Sequence, residues 1–327
     1  MHLLGQSSSF IYRAICTVLI GAFLIKGRCA EFATFTIPDE ARKNAIQAGI
    51  WYPCAEEQRL ASGAPLEQSR LAKCMQSVQR PPIVIISHGS GGSFQAHSDL
   101  AIALADAGFV VASINHAGDT TQDLSERSQF STLWRRANHI SKLISVVESL
   151  EPWRSGSTEP VVGVYGYSRG GLTALMLAGA KPDIDRMDSY CKYFKINMCI
   201  EASQSVAMPP DVLDKRVRAL VLADPLNFFT KEDLIGVTLP AEVWASQMGG
   251  ESISLTRTQE LATNLPTKPR LHVVENANHY SFLKPCTQVL IASGLDICKD
   301  ENGFDREQFH VQFDESVVQF FSKNLGK

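Results

Sequence analysis

The chain has 327 residues, 45% of them hydrophobic and 20% charged, with a formal net charge of −3. That length can bury one large core, and the slightly acidic balance leaves no basic excess or stripe for a nucleic-acid partner. No low-complexity tract or solenoid-length repeat occurs, which excludes disordered and repeat architectures.

In chain order, the first thirty residues stand apart. Arg13, Lys26 and Arg28 bracket the apolar run Ala14–Ile25, and no acidic residue comes before Glu31. A basic start, a short apolar stretch and small residues after it read as a secretory signal over 1–30, leaving 31–327 as a single domain. The alternative is an uncut N-terminal anchor, because Arg28 stands where a cleavage after Ala30 wants a small residue. The expected location is periplasmic or secreted, with no stable membrane insertion once the leader is removed. Six cysteines follow: Cys54, Cys74, Cys191, Cys199, Cys286 and Cys298. An even set, close in pairs and in loop-like sequence, reads as disulfides formed in an oxidising compartment. The simplest pairing is Cys54–Cys74, Cys191–Cys199 and Cys286–Cys298. Zinc-finger spacing is missing from them.

Short apolar runs then alternate with longer amphipathic ones. Ala48–Tyr52, Ile83–His88, Val110–Asn115, Val161–Tyr167, Arg218–Asp224, Pro240–Ala245 and Leu271–Glu275 read as strands. Gln95–Ala107, Ser131–Leu150, Arg169–Ala180, Thr256–Leu265 and Asp305–Leu325 read as helices. Continuous apolar strands alternating with helices predict an α/β fold, a mostly parallel sheet covered by helices on both faces. Sites in such sheets form beyond the carboxyl ends of the strands. Two segments break the rhythm: Pro53–Pro82, a polar surface excursion, and Lys181–Lys215, either a small cap over the site or a peripheral loop.

The strongest chemical signal is Gly166-Tyr167-Ser168-Arg169-Gly170, set between a strand and a helix. A serine hydroxyl is a weak nucleophile unless held exposed against a base, and a tight strand-to-helix turn holds it so. Ser168 is therefore the candidate nucleophile. The glycine-rich turn His88-Gly89-Ser90-Gly91-Gly92 ends an earlier strand and can aim a backbone N–H at the same point. Ser90 (or Gly91) and Arg169 are the expected N–H donors to an oxyanion. His88 precedes the serine and reads as a structural residue of the turn. Among later histidines, His272 falls within a strand and His310 within a helix. His279 follows a strand on a loop and is the candidate base. Two acids end consecutive strands, Asp224 and Glu251, and the Gly249-Gly250 turn favours Glu251.

These residues resemble the α/β-hydrolase superfamily, and more narrowly a dienelactone-hydrolase-like branch related to plasma-type platelet-activating-factor acetylhydrolases. The resemblance rests on Gly49-Ile50-Trp51-Tyr52-Pro53, Ser87-His88-Gly89-Ser90-Gly91-Gly92, Asn115-His116-Ala117-Gly118-Asp119-Thr120, and the turn at Ser168. It continues in Asn276-Ala277-Asn278-His279-Tyr280-Ser281-Phe282 and Gly303-Phe304-Asp305-Arg306. It implies hydrolysis of a small-molecule carboxylic ester through an acyl-enzyme, with a Ser-His-acid triad and neither cofactor nor metal. Dienelactone hydrolases use a cysteine nucleophile, so their substrate does not carry over to a chain with Ser168. In the acetylhydrolase branch the acid follows the earlier strand, which keeps Asp224 in play. A histidine base of ordinary basicity predicts a rate rising through about pH 6–7. The rival readings are a serine amidase or peptidase on the same fold, and a binding protein with a retired site.

Overall fold

A computed structural model describes residues 29–39, 44–54, 63–76, 80–155, 159–182, 212–250, 252–301 and 303–326. Nine strands form one sheet: β1 (Cys29–Asp39), β2 (Asn44–Cys54), β3 (Ala64–Pro65), β4 (Ile83–Ser87), β5 (Val110–Ile114), β6 (Val162–Tyr167), β7 (Val217–Ala223), β8 (Ala241–Ser246) and β9 (Arg270–Val274). Their order is β3-β1-β2-β5-β4-β6-β7-β8-β9. From β5 to β9 every neighbouring pair is parallel, whereas β2 runs antiparallel to both β1 and β5. Every predicted strand is present, with ends moved by no more than a few residues.

The helices among the described residues are α1 (Gln68–Met75), α2 (Ser98–Asp106), α3 (Phe130–Glu148), α4 (Arg169–Leu177), α5 (Leu255–Asn264), α6 (Gln288–Ala292) and α7 (Arg306–Asn324). Strands β4 to β8 are buried almost throughout, so alternate side chains feed two cores. Ile83, Ile85, Val164 and Leu220 pack with α1, α3, α4 and α5. Val84, Ile86, Tyr165 and Val221 pack with α2 and α7 on the other face. Gly163 lets α7 close in, since a Cβ there would stand 2.5 Å from the Phe321 ring.

Strand β1 begins inside the stretch that the sequence assigns to the leader. Cys29 and Ala30, which the sequence places in the leader, pair with Cys54 and Pro53 at the start of β1. Strand β1 went unread because buried and more exposed residues mix along it and it carries no continuous apolar run. The Pro53–Pro82 excursion contains α1, whose Leu71, Cys74 and Met75 are buried. Disulfides join Cys54 to Cys74 and Cys286 to Cys298; Cys29 is disulfide-bonded too. Cys191 and Cys199, and residues 183–211 of the suggested cap, lie outside the described residues, as do residues 1–28 of the leader. No helix among the described residues is long and apolar enough to cross a membrane.

Candidate active site

In the sheet order, β4 has β5 on one side and β6 on the other, so chain direction across the sheet reverses there. A crevice opens at such a reversal, beyond the carboxyl ends of the two strands. The turn after β4 and the turn after β6 meet in it.

Ser168 sits between β6 and α4 with φ 56° and ψ −119°, a conformation that costs an L-residue free energy. The glycines around it are dictated by contact. A Cβ on Gly166 would come within 2.3 Å of the Gly170 carbonyl, and one on Gly170 within 1.8 Å of the Ser87 carbonyl. Gly89 lies against the Tyr167 ring and 3.3 Å from Ser168 Cβ by the same measure. The two turns therefore interlock, and none of these three glycines admits a side chain.

Strong polar contacts fix the β4 turn from behind. Asp119 Oδ1 accepts from the Gly91 N–H at 2.8 Å and the Ser90 hydroxyl at 3.1 Å. Its Oδ2 accepts from Arg136 at 2.8 Å and Arg169 at 3.2 Å. Arg136 also donates to the His88 carbonyl, and Arg127 donates to Ser90 Oγ at 2.8 Å. Burial alone would raise the Asp119 pKa, but Arg136 and Arg169 hold it below the usual carboxylate range. The Gly91 N–H is committed to Asp119, whereas the Ser90 N–H has no partner among the described residues. The Arg169 N–H opens α4, where the helix dipole favours negative charge.

His88 is structural. Its Nδ1 pairs with the Gly89 carbonyl at 2.6 Å and its Nε2 accepts from the His116 N–H at 3.2 Å. Burial and the Arg136 charge push its pKa down to about 3, so the ring is neutral. His116 and Asp119 are both fully buried behind the turn and do not line the crevice.

His279 opens a 3-10 turn, His279–Phe282, just past β9. Its ring stacks on Tyr167 with centroids 4.7 Å apart, and the Tyr167 hydroxyl donates to its carbonyl at 3.0 Å. Its N–H donates to the Gly249 carbonyl at 2.8 Å. His279 Nδ1 lies 3.0 Å from Asp224 Oδ2, both groups being buried. Asp224 follows β7 at φ 42° and is held by the Ser246 N–H at 2.8 Å and by the Ser246 hydroxyl. Of the two acids the sequence offers, Asp224 is in contact with His279, while Glu251 lies outside the described residues. The Gly249-Gly250 turn has another use, since a Cβ on Gly250 would come within 3.2 Å of His279 Cβ. It lets the histidine loop pass.

Ser168 and His279 line one cavity of about 370 Å³ together with Ser90. Its wall is largely apolar, with Leu124, Leu283, Leu290 and Ile297 among the lining residues. No direct hydrogen bond joins the Ser168 hydroxyl to His279 in this structure. His272, by contrast, stacks on Trp244 at 3.9 Å, and His310 is buried against α2. Sequence reasoning missed Tyr167, Ser246 and Arg136; only Tyr167, as the variable residue before the serine, carried any local signal.

Comparison with known proteins agrees with this architecture. A family model described as platelet-activating factor acetylhydrolase, isoform II, matches residues 58–132, which include the β4 turn and Asp119 but neither Ser168 nor His279. A ferulic acid esterase from Streptomyces cinnamoneus superposes with a TM-score of 0.55 at 16% identity, covering 91% of each chain. A dienelactone hydrolase from Anabaena variabilis gives a TM-score of 0.52 at 14% identity, covering 89% of this chain and 98% of its own. No curated protein sequence matches this one. The sheet order, the strand-to-helix turn at Ser168 and these superpositions together give the chain the α/β-hydrolase fold, with a resemblance to dienelactone hydrolases and a partial one to platelet-activating factor acetylhydrolases.

Proposed function

We propose that the protein is a serine hydrolase of carboxylic esters, working through an acyl-enzyme with Ser168, His279 and Asp224 as its triad. The observation that carries this reading is the buried contact of Asp224 with His279 Nδ1, which leaves Nε2 for the strained serine in the same cavity. His279 Nε2 takes the Ser168 proton as the hydroxyl oxygen attacks the ester carbonyl. The Ser90 and Arg169 N–H groups stabilise the oxyanion, each contributing about 3 kcal/mol in comparable sites. The protonated imidazole then passes its proton to the leaving alkoxide, and water, activated by the same ring, releases the acid. Asp224 keeps the Nδ1–H in place and offsets the cation formed in each step. A hydroxyl–imidazole hydrogen bond is commonly long in a free enzyme and tightens when substrate binds. The apolar wall and modest cavity volume favour an ester with a small apolar acyl or aryl group.

A fluorophosphonate probe and a panel of aryl esters of rising acyl length test the reading. The expected outcome is labelling and ester turnover by the native protein, both lost in Ser168→Ala. Labelling with turnover of matched amides but not esters points to an amidase. A folded protein that neither labels nor hydrolyses leaves only a binding role.

A further inference from the structure

Beneath the His279–Phe282 turn, polar side chains from three elements converge in the core between the sheet and α2 and α7. Asp99 from α2 and His310 and Asp314 from α7 each offer a donor atom, and the three donors lie within 4.8 Å of one another. His310 and Asp314 are four residues apart and so share one helix face. His310 Nε2 is 2.9 Å from the Ser281 carbonyl. A carbonyl only accepts, so Nε2 carries a hydrogen and Nδ1 is turned toward the carboxylates. Nδ1 stands 2.6 Å from Asp99 Oδ2, an ion pair when the ring is protonated and a contact a metal ion would replace.

Two further atoms face the same place. His97 is 2% exposed and Tyr165 fully buried, and neither His97 Nε2 nor the Tyr165 hydroxyl has a partner among the described residues. Their rings meet edge-on at 5.1 Å. His97 feels the charges of Asp99 and His310, and Tyr165 those of Asp99 and Asp314. Asp314 Oδ1 and Asp99 Oδ1 are likewise buried without a hydrogen bond, and Asp99 Oδ2 meets only His310. Buried polar groups almost always find partners, and leaving one without costs about 1–3 kcal/mol. So many in one place call for a common partner, and most of them are acceptors that a cation satisfies.

We propose that Asp99, His310 and Asp314 bind a divalent ion of the zinc class, its fourth position facing His97 and Tyr165. An imidazole with two carboxylates suits zinc, whereas calcium and magnesium prefer oxygen donors alone. Ligands at about 2.0–2.1 Å from a tetrahedral ion stand roughly 3.3 Å apart, so His310 Nδ1 and Asp99 Oδ2, now 2.6 Å apart, open slightly while any wider pair, at most 4.8 Å, closes in. The Ser281 carbonyl behind His310 is the outer partner that orients a metal-bound imidazole. Through that carbonyl the ion braces the turn that carries His279; it takes no part in the ester chemistry.

Protein dialysed against EDTA is titrated with zinc chloride by calorimetry, its melting temperature followed in parallel. The expected result is one site in the low micromolar range or tighter, a melting temperature raised by several degrees, and both effects retained in His279→Ala. Asp314→Asn, similar in shape, is expected to bind zinc at least ~10-fold more weakly while keeping a native near-UV spectrum. If it does not fold, Asp99→Asn takes its place. Calcium chloride is expected to bind neither form. Unchanged zinc affinity in a folded Asp314→Asn or Asp99→Asn, or no zinc-dependent heat and melting shift in the native chain, overturns the proposal.

Discussion

Asp224 and Asp119 are both buried carboxylates, one in contact with His279 and the other holding the Ser90-Gly91 turn, and the proposed mechanism depends on each. Asp224→Asn keeps the shape but cannot hold the Nδ1–H tautomer or offset the imidazolium. Steady-state kinetics on an aryl ester should show kcat lower by about 10⁴-fold with little change in KM. Glu251→Gln should leave kcat within about 2-fold of native; a larger loss in Glu251→Gln than in Asp224→Asn would reverse the assignment of the acid. Asp119→Asn removes the counter-charge from two guanidiniums, one of them fully buried. Breaking one side of a buried ion pair costs about 3–5 kcal/mol, to be read from denaturant unfolding. The Ser90-Gly91 turn loosens with it, so kcat should fall as well. The sequence displayed Ser168 and His279 through their neighbours. Which acid meets His279 was not displayed, because that contact depends on Asp224 adopting a positive φ, with its carboxyl on Ser246 and the histidine.

Among the elements, the two turns at Ser168 and Gly89 behave as one unit. Gly170→Ala sets a methyl into the Ser87 carbonyl, a backbone atom that cannot swing aside. The expected outcome is poor folding, or folded protein that no longer labels with a fluorophosphonate. The Cys286–Cys298 segment is a second unit: its Leu290 and Ile297 line the cavity, while Val289, at 80% exposure, faces solvent on the same short helix. The disulfide spans 12 positions, and closing a loop near that size stabilises by up to about 3 kcal/mol. Replacing both cysteines by serine should lower the melting temperature and raise KM for the longer acyl esters, with kcat for the shortest nearly unchanged. Helices α3, α4 and α7 were legible from their period and neighbours, but α6 was not, since its apolar residues are exposed and follow no buried stripe.

For the molecule as a whole, the buried histidines set the response to acid. His88 is pushed down to about 3 by burial and by Arg136, and His139 to about 4 chiefly by burial. His116 lies well below the ordinary histidine value for the same two reasons as His88. The sign follows directly: each stays neutral in the folded chain but takes a proton once unfolded, below about pH 6.5. Stability is full above that value and falls as pH drops toward the folded pKa. At pH 5, His88 and His139 each remove about 2 kcal/mol, and His116 adds to the loss. Against a typical total of about 5–15 kcal/mol, that is enough to bring acid unfolding close to pH 5. Circular dichroism across pH 4–8 checks this; a flat melting temperature down to pH 4 would show that these rings are solvated.

The order of apolar runs, the turn glycines and the cysteine spacing were written in the sequence, because strand burial and tight turns impose local, periodic demands on residue type. That was enough to place the parallel sheet, the candidate nucleophile and base, and the two disulfides found among the described residues. The partner of His279, the ion-pair support behind Ser90 and the cluster at Asp99, His310 and Asp314 were decided only by the tertiary structure. Each joins side chains separated by seventeen to more than two hundred positions. No local pattern encodes such a meeting; crossover geometry and the packing of α2, α3 and α7 on the sheet bring it about.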